Sequence, residues 1–454
     1  MDYLFSSKDL KKLIIPLVFE QALAITVGMA DTMMVASVGE AAISGVSLVD
    51  MINNLIFSIL AALSTGGAVV VSQFIGAKHV KDACRCAWQL LYTAVFISLL
   101  ISIATIIWRM PLLRLFFGAI EDDVMQDAII YLLISAFSFP FLAIYNACAA
   151  LFRSMGNAAV TLKVAILINL INVVGNAVCI FVLKMGVAGV AIPSLVSRMA
   201  GAVILFILLH NDTLMVHLKH GQGRPNLPII RKILHIGIPS GIENGIFQLG
   251  RVLVVSIISG FGTVQIAANG VANNLDSLGV IIGQAMNLAM ITVIGRCVGA
   301  GDERQIRYYT RRLLLITYIS TAILNGLILL NLNRILAIYG LSAQATGLAA
   351  KLVWLHDGFA ILLWPLAFVL PNMLRACNDV NYTMVVSLFS MFVFRIGFSY
   401  VLGVRMNMGA VGVWIAMIID WVVRISFFIG RYLSGRWRRL CHLEKAQRKG
   451  TEDY

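Results

Sequence analysis

The stretch IIPLVFEQALAITVGMADTMMVASVG, from Ile14 to Gly39, decides how the rest of the chain is read. It exceeds the ~20 apolar residues needed to cross a bilayer, yet it carries Glu20 and Asp31. A carboxylate at the centre of a membrane helix costs roughly 2.5–3.5 kcal/mol or more, so such a span needs a partner or a use for its acids. At 100° per residue, positions eleven apart return to within about 20° of one face, ~16 Å along the axis. Glu20 and Asp31 are therefore expected to look into one cavity at two depths.

The surrounding composition fits that reading. Of 454 residues 60% are hydrophobic and 13% charged, about half the charge of a soluble domain. The apolar runs are continuous, not the ten-residue alternating segments of a membrane barrel. Twelve spans are predicted, near 13–37, 47–71, 87–108, 128–151, 160–183 and 187–209, then 234–259, 271–295, 312–332, 351–374, 382–404 and 410–430. The fold class is an all-α polytopic membrane protein of twelve transmembrane helices in two six-helix lobes. The expected divisions are an N-lobe at 1–210, a cytoplasmic linker at 211–232, a C-lobe at 233–431 and a basic cytoplasmic tail at 432–454.

Net charge is +13, but its distribution points to topology, not nucleic acid. With loops numbered alternately, 25 Lys and Arg fall on the side of the N-terminus and six on the other: Arg109, Arg114, Lys184, Arg334, Lys351 and Arg405. The remaining four, Arg198, Arg251, Arg395 and Arg424, lie inside spans. The positive-inside rule places both termini and the linker in the cytoplasm of a multi-pass cell-membrane protein, with the basic side touching anionic lipid headgroups. The first span is too long for a signal-peptide core. The seven Cys are read as free thiols, and His217 with His220 as solvated.

The chain also repeats itself. Ile15-Pro16 with Glu20 recurs as Ile238-Pro239 with Glu243, a shift of 223. Phe74-Ile75-Gly76-Ala77 recurs as Cys297-Val298-Gly299-Ala300, and the Met185–Val190 run as Met408–Val413, both at 223. Arg153-Ser154-Met155-Gly156-Asn157 matches Arg375-Ala376-Cys377-Asn378-Asp379 at 222. Each half holds an even number of spans, so the two repeats are parallel. Paired lobes around a cavity describe many secondary transporters.

Polar residues inside the spans are the candidate site. Asp31, Asn146, Asn172, Asn176 and Ser194 offer one carboxylate with amide and hydroxyl oxygens, a donor set for a proton or a hard cation. Asn172 and Asn176, four apart, share a helix face. With one carboxylate a metal would be held weakly; sodium at the Asp31 cluster is the only metal entertained. Glu20, Tyr145, Glu243, Arg251, Asp357 and Trp364 are candidate substrate-cavity residues, Asp357 lying within two turns of the kinking Trp364-Pro365. Asp420 and Arg424, at i and i+4, are expected to pair. No phosphate-binding G-x-x-x-x-G-K-[ST] and no His-Glu-x-x-His is present, so the chain is read as no enzyme. It is expected to need no cofactor and to draw on an ion gradient.

The run Pro16, Glu20, Asp31-Thr32-Met33-Met34-Val35, then Val71-Ser72-Gln73-Phe74-Ile75-Gly76-Ala77, resembles multidrug and toxic compound extrusion (MATE) transporters. So do Gly237-Ile238-Pro239 to Gly250 and Arg375–Asp379. The likeness extends over nearly the whole chain and is closest to the DinF-like branch, which the ending Asp420–Arg424 through Trp437 also fits. It implies an antiporter exporting amphiphilic, often cationic, compounds against proton or sodium entry. Family members use a first-span acid, matched by Asp31, with a fourth-span Asn (Asn146), a fifth-span Asn and Asp, and a sixth-span Thr. Here the last three are Asn172, Asn176 and Ser194, so one family carboxylate is an amide. Another branch uses a seventh-span and a tenth-span acid; those places hold Phe247 and Trp364, with Glu243 and Asp357 nearby. The expected function is a monomeric secondary efflux antiporter in the inner (cytoplasmic) membrane, taking small-molecule amphiphilic substrates and no nucleic acid. A flippase of lipid-linked oligosaccharide or another amphiphilic lipid is the alternative.

Overall fold

The structure, a computed structural model, describes residues 3–118, 121–218 and 223–441. Lys219, His220 and residues 442–454 of the expected basic tail lie outside that set. Twelve helices are long and apolar enough to cross a membrane, one for each predicted span. The first six are α1 (Ser7–Ala36), α2 (Glu40–Gly76), α3 (Val80–Ile107), α4 (Asp122–Ser154), α5 (Ala158–Val182) and α6 (Ala188–Leu208). Then follow α7 (Leu227–Ser259), α8 (Thr263–Gly279), α9 (Ile281–Gly299), α10 (Glu303–Leu330), α11 (Ala343–Ala376), α12 (Val380–Arg405) and α13 (Gly409–Ser434). The eighth span is α9, and α8 leads into it. No strand occurs among the described residues. All seven cysteines are free.

By its internal contacts the chain divides into two compact units, Ser7–Gly245 and Met1–Ser6 with Ile246–Tyr454. The division falls inside α7. In the first unit α2 packs on α3 and α4, α4 on α6, and α5 on both α1 and α6. In the second, α8 lies on α11, α9 on α10 and the end of α11, and α13 on α11 and α12. The N-terminal Leu4 and Phe5 amides donate to Gln305 Oε1 and Tyr309 Oη of α10, each at 2.9 Å. Large apolar side chains such as Phe96 and Leu362 are more than 60% exposed, as expected where the surrounding solvent is hydrocarbon.

The duplication is visible in the backbone of each unit. The α2 bounds, 40 and 76, recur 223 residues later as the start of α8 and the end of α9, 263 and 299. Lys184 and Asn407, with φ of 51° and 54°, turn the chain after α5 and α12 at the same spacing. Both of those helices end in π-helical turns, Val178–Val182 in one and Ser399–Arg405 in the other. The copies differ in one respect. α2 is continuous, whereas its counterpart is interrupted at Val280. There Asn325 Nδ2 donates to the Gly279 carbonyl at 3.3 Å and to Thr321 at 3.0 Å. A side chain entering the backbone ladder is a recognised cause of a kink.

Candidate functional site

In the first unit α1 and α5 lie in one register: Glu20 meets Thr161 and Asp31 meets Asn172, each pair 141 apart. Thr161 Oγ1 donates to Glu20 Oε2 at 3.0 Å, and Arg153 Nη1 lies 3.5 Å from Oε1. Glu20 is thus paired, tying α1 to α4 and α5. Asp31, further along the same face, has no ion pair among the described residues. Asn176 Nδ2 donates to its Oδ1 at 2.8 Å. The Asn172 amide, oriented so that both its ends are satisfied, donates to Asp31 Oδ1 at 2.9 Å and Oδ2 at 3.2 Å, and its oxygen accepts from Ser194 Oγ at 2.9 Å.

Local sequence explains the assembly. Asn172 and Asn176 stand one turn apart on α5, so both amides reach the same carboxylate. Gly175 between them lets Pro193 of α6 approach so closely that a Cβ there would sit 2.8 Å from the proline ring. That contact brings the adjacent Ser194 to Asn172. The π-helical turn begins at Val178, just past Asn176; such turns concentrate at functional sites. Asn176 Oδ1 is buried without a hydrogen-bond partner among the described residues. Of the five predicted coupling residues, Asp31, Asn172, Asn176 and Ser194 come together. Asn146, half-buried on α4, makes no hydrogen bond to them among the described residues. Tyr145 packs beside Gly201 of α6. Asp50, outside the predicted set, accepts from Tyr131 Oη at 3.1 Å, and Arg198 donates to Ser138 Oγ at 2.5 Å with its guanidinium 4.5 Å from the Phe57 ring.

The second unit holds a different constellation. His356 Nε2 faces Asp276 Oδ1, and its Nδ1 lies 2.8 Å from Asp357 Oδ1. His356 and Asp357 are fully buried, and Asp357 Oδ2 has no hydrogen-bond partner among the described residues. This is the one group among the described residues whose ligand atoms, within 4.8 Å of one another, could hold a metal. Each ring nitrogen already faces a carboxylate, however, so a metal would have to displace both contacts. Trp414 and Trp421 cover the ring edge-on at 5.8 and 5.1 Å. Asp420 pairs with Arg424 at 3.0 Å as expected, and Arg395 lies 3.8 Å from its other oxygen. Trp364 is buried, its ring filling the space beside Gly283 and 5.0 Å from Phe368. Arg251 is exposed and lines a cleft with Asn269, Asn273, Arg395 and Trp414. Glu243 is buried on α7. The sequence reading left Asp276 and His356 out of the site; the available signal was two titratable side chains adjacent in one apolar span, with a third on another.

Twelve apolar helices, a duplicated six-span plan and an acid held by amides within a span define an integral membrane transporter. The MatE family model matches this chain twice, over residues 16–178 and 239–401, and both limits are displaced by 223. The chain belongs to the MatE family of multidrug and toxic compound extrusion transporters, and it is a transporter, not an enzyme. Among its relatives is a Bacillus subtilis protein described as an uncharacterized transporter, YisQ, 27% identical over 95% of this chain and 94% of that one. A Thermotoga maritima protein described as a probable multidrug resistance protein, NorM, is 25% identical over 97% and 95%. An outward-facing multidrug resistance MATE family transporter of the MOP superfamily shares the fold, with a TM-score of 0.88 at 21% identity over 96% of each chain.

Proposed function

We propose that the chain is a monomeric antiporter of the cytoplasmic membrane, exporting amphiphilic, cationic small molecules in exchange for protons by alternating access. Two lobes, 1–210 and 233–431, move about the linker 211–232, with both termini in the cytoplasm. The observation that carries the reading is Asp31, an acid within a span that is held by neutral amides and, among the described residues, by no ion pair.

The site offers hydrogen bonds to both states of the acid. Ionised, Asp31 accepts from Asn172 and Asn176. Protonated, it becomes a donor and needs an acceptor; turning the Asn176 amide by half a revolution presents the unpartnered Oδ1 to it. Asp31 lies within two turns of the end of α1, the outer end in the proposed orientation, where an external proton reaches it first. Protonation neutralises the site, loosens α1 from α5 and releases cargo outward. A cationic cargo entering from inside favours the ionised acid. Glu20, already paired with Arg153, has the architectural role. A single carboxylate serves a proton better than sodium, which prefers more oxygen charge.

The test is substrate-driven proton movement in proteoliposomes, with and without sodium, for the parent and Asp31→Asn. The variant is expected to lose coupled proton movement while still inserting and folding. Unimpaired coupling in Asp31→Asn overturns the assignment, and coupling that requires sodium replaces the ion.

A further inference from the structure

The duplication relates the Asp31 site to the cleft in the second unit, residue by residue, and the comparison inverts the charge. At the 223 shift Asp31 becomes Val254, Asp50 becomes Asn273 and Ser194 becomes Met417. Gly28 becomes Arg251 and Asn172 becomes Arg395. Val254, Asn273, Met417, Arg251 and Arg395 all line one open cleft. The first copy holds Asp31 and Asp50 with amides around them and Arg198 nearby. The second copy has an apolar residue and an amide at the two acid positions, and guanidinium groups where the first has Gly28 and Asn172.

Those guanidinium groups are short of counter-charge. Arg395 and Arg424 share the single carboxylate of Asp420 and both lie 5.6 Å from the Phe247 ring, one turn before Arg251 on α7. Among the described residues Arg251 makes no ion pair and the buried Arg395 Nε has no hydrogen-bond partner. Asp276 and Asp357 are both turned to His356, so among the described residues Asp420 is the one carboxylate that pairs with these arginines. Inside a membrane protein a surplus cation calls for an anion. Guanidinium groups match a carboxylate or phosphate with paired donors, and Trp414 and Met417 supply an apolar wall.

We infer that the second unit carries an anion-selective cleft, in which Arg251 and Arg395 take the carboxylate, sulfonate or phosphate of an amphiphile. This deepens the reading of the cargo and rests on the proposed export function for the direction of movement alone. It widens the cargo from cations to amphiphiles bearing an acidic group.

The probe is a matched set with one aromatic body: 1-naphthoate, 1-naphthylmethylammonium and 1-naphthylmethanol. Equilibrium binding is measured on the full chain in phosphatidylcholine nanodiscs. Naphthoate is expected to bind at least tenfold more tightly than the alcohol. Arg251→Gln, at an exposed position, is expected to weaken naphthoate at least fivefold and leave the alcohol unchanged, while Arg251→Glu reverses the order of naphthoate and ammonium. Replacing half of the lipid by phosphatidylglycerol separates two sources of the anion. Competition that disappears in Arg251→Gln assigns the cleft to a lipid headgroup, and its absence assigns it to a free amphiphile; both uphold an anion-selective cleft. Equal binding of naphthoate and alcohol, or an unchanged order in Arg251→Glu, overturns it. Equilibrium binding needs no gradient, so failure here and failure of coupling at Asp31 are separate results.

Discussion

His356 presents a nitrogen to each of two aspartates, Asp276 and Asp357. The same places in the first copy hold a neutral contact, Asn53 Nδ2 donating to Ser135 Oγ at 3.2 Å. Asn53 maps to Asp276 at 223, and Ser135 to Asp357 at the 222 spacing of that span. A contact worth little has therefore become a triad of one histidine and two aspartates. Removing one member of a buried ion group strands the others and costs about 3–5 kcal/mol. Asp357→Asn and His356→Gln are each expected to lower the melting temperature clearly, and the double variant to lose less than the sum. Thiol labelling during a melt reads this out, because six of the seven cysteines are buried. Cys377, between α11 and α12, has its thiol pushed up by burial, so less of it is thiolate and it stays inert until unfolding exposes it. Strict additivity of the two losses contradicts the coupling. The contrast between the two sites also shows what sequence can reveal. Asn172 and Asn176 announce themselves by a one-turn spacing, and Asp31 by its cost. The triad draws Asp276 from one helix and His356 with Asp357 from another, a meeting set by packing that no spacing encodes.

The twelve spans were legible because hydropathy over a bilayer's thickness is a strong signal, while helix ends were not. The second span was expected from 47 and its helix begins at Glu40; the eighth was expected at 271–295 and the helical chain begins at Thr263. Polar first turns read as loop when only apolarity is counted. The interruption at Val280 was equally hidden, since it depends on Asn325 reaching across from α10. Close approach between helices is likewise a tertiary fact. A Cβ at Gly66 of α2 would come within 2.6 Å of the Ile233 carbonyl and 2.8 Å of the Gly237 nitrogen. Both are backbone atoms of α7 and cannot rotate away. Gly66→Ala is therefore expected to destabilise the protein by about 1–3 kcal/mol, the usual cost of overpacking. Gly28→Ala, with nothing within 4 Å of its Cβ, serves as the control and is expected to leave the melt unchanged or raise it. Equal melts for the two variants dispose of a tight α2–α7 contact.

At the scale of the whole chain the charge count and the duplication make one joint prediction about orientation. The 25 Lys and Arg of one side against six of the other orient the chain, and an even number of spans per copy makes corresponding loops of the two copies face the same way. Lys184 and Arg334 stand on the sparsely charged side, one in each copy, and Lys81, Arg224 and Arg304 on the basic side; all five are exposed. Single cysteines placed at these positions, in a chain whose seven native cysteines have been replaced, can be probed in intact cells with a membrane-impermeant maleimide. Lys184→Cys and Arg334→Cys are expected to label from outside. Lys81→Cys, Arg224→Cys and Arg304→Cys are expected to label only after permeabilisation. Inverting the whole pattern would overturn the placement of the termini yet spare the parallel repeat. Labelling of Lys184→Cys but not Arg334→Cys from outside would break the repeat itself. With it would go the residue correspondence that sets an acid at Asp31 against arginines at the matching cleft, so this experiment bears on the charge inversion before any ligand is added.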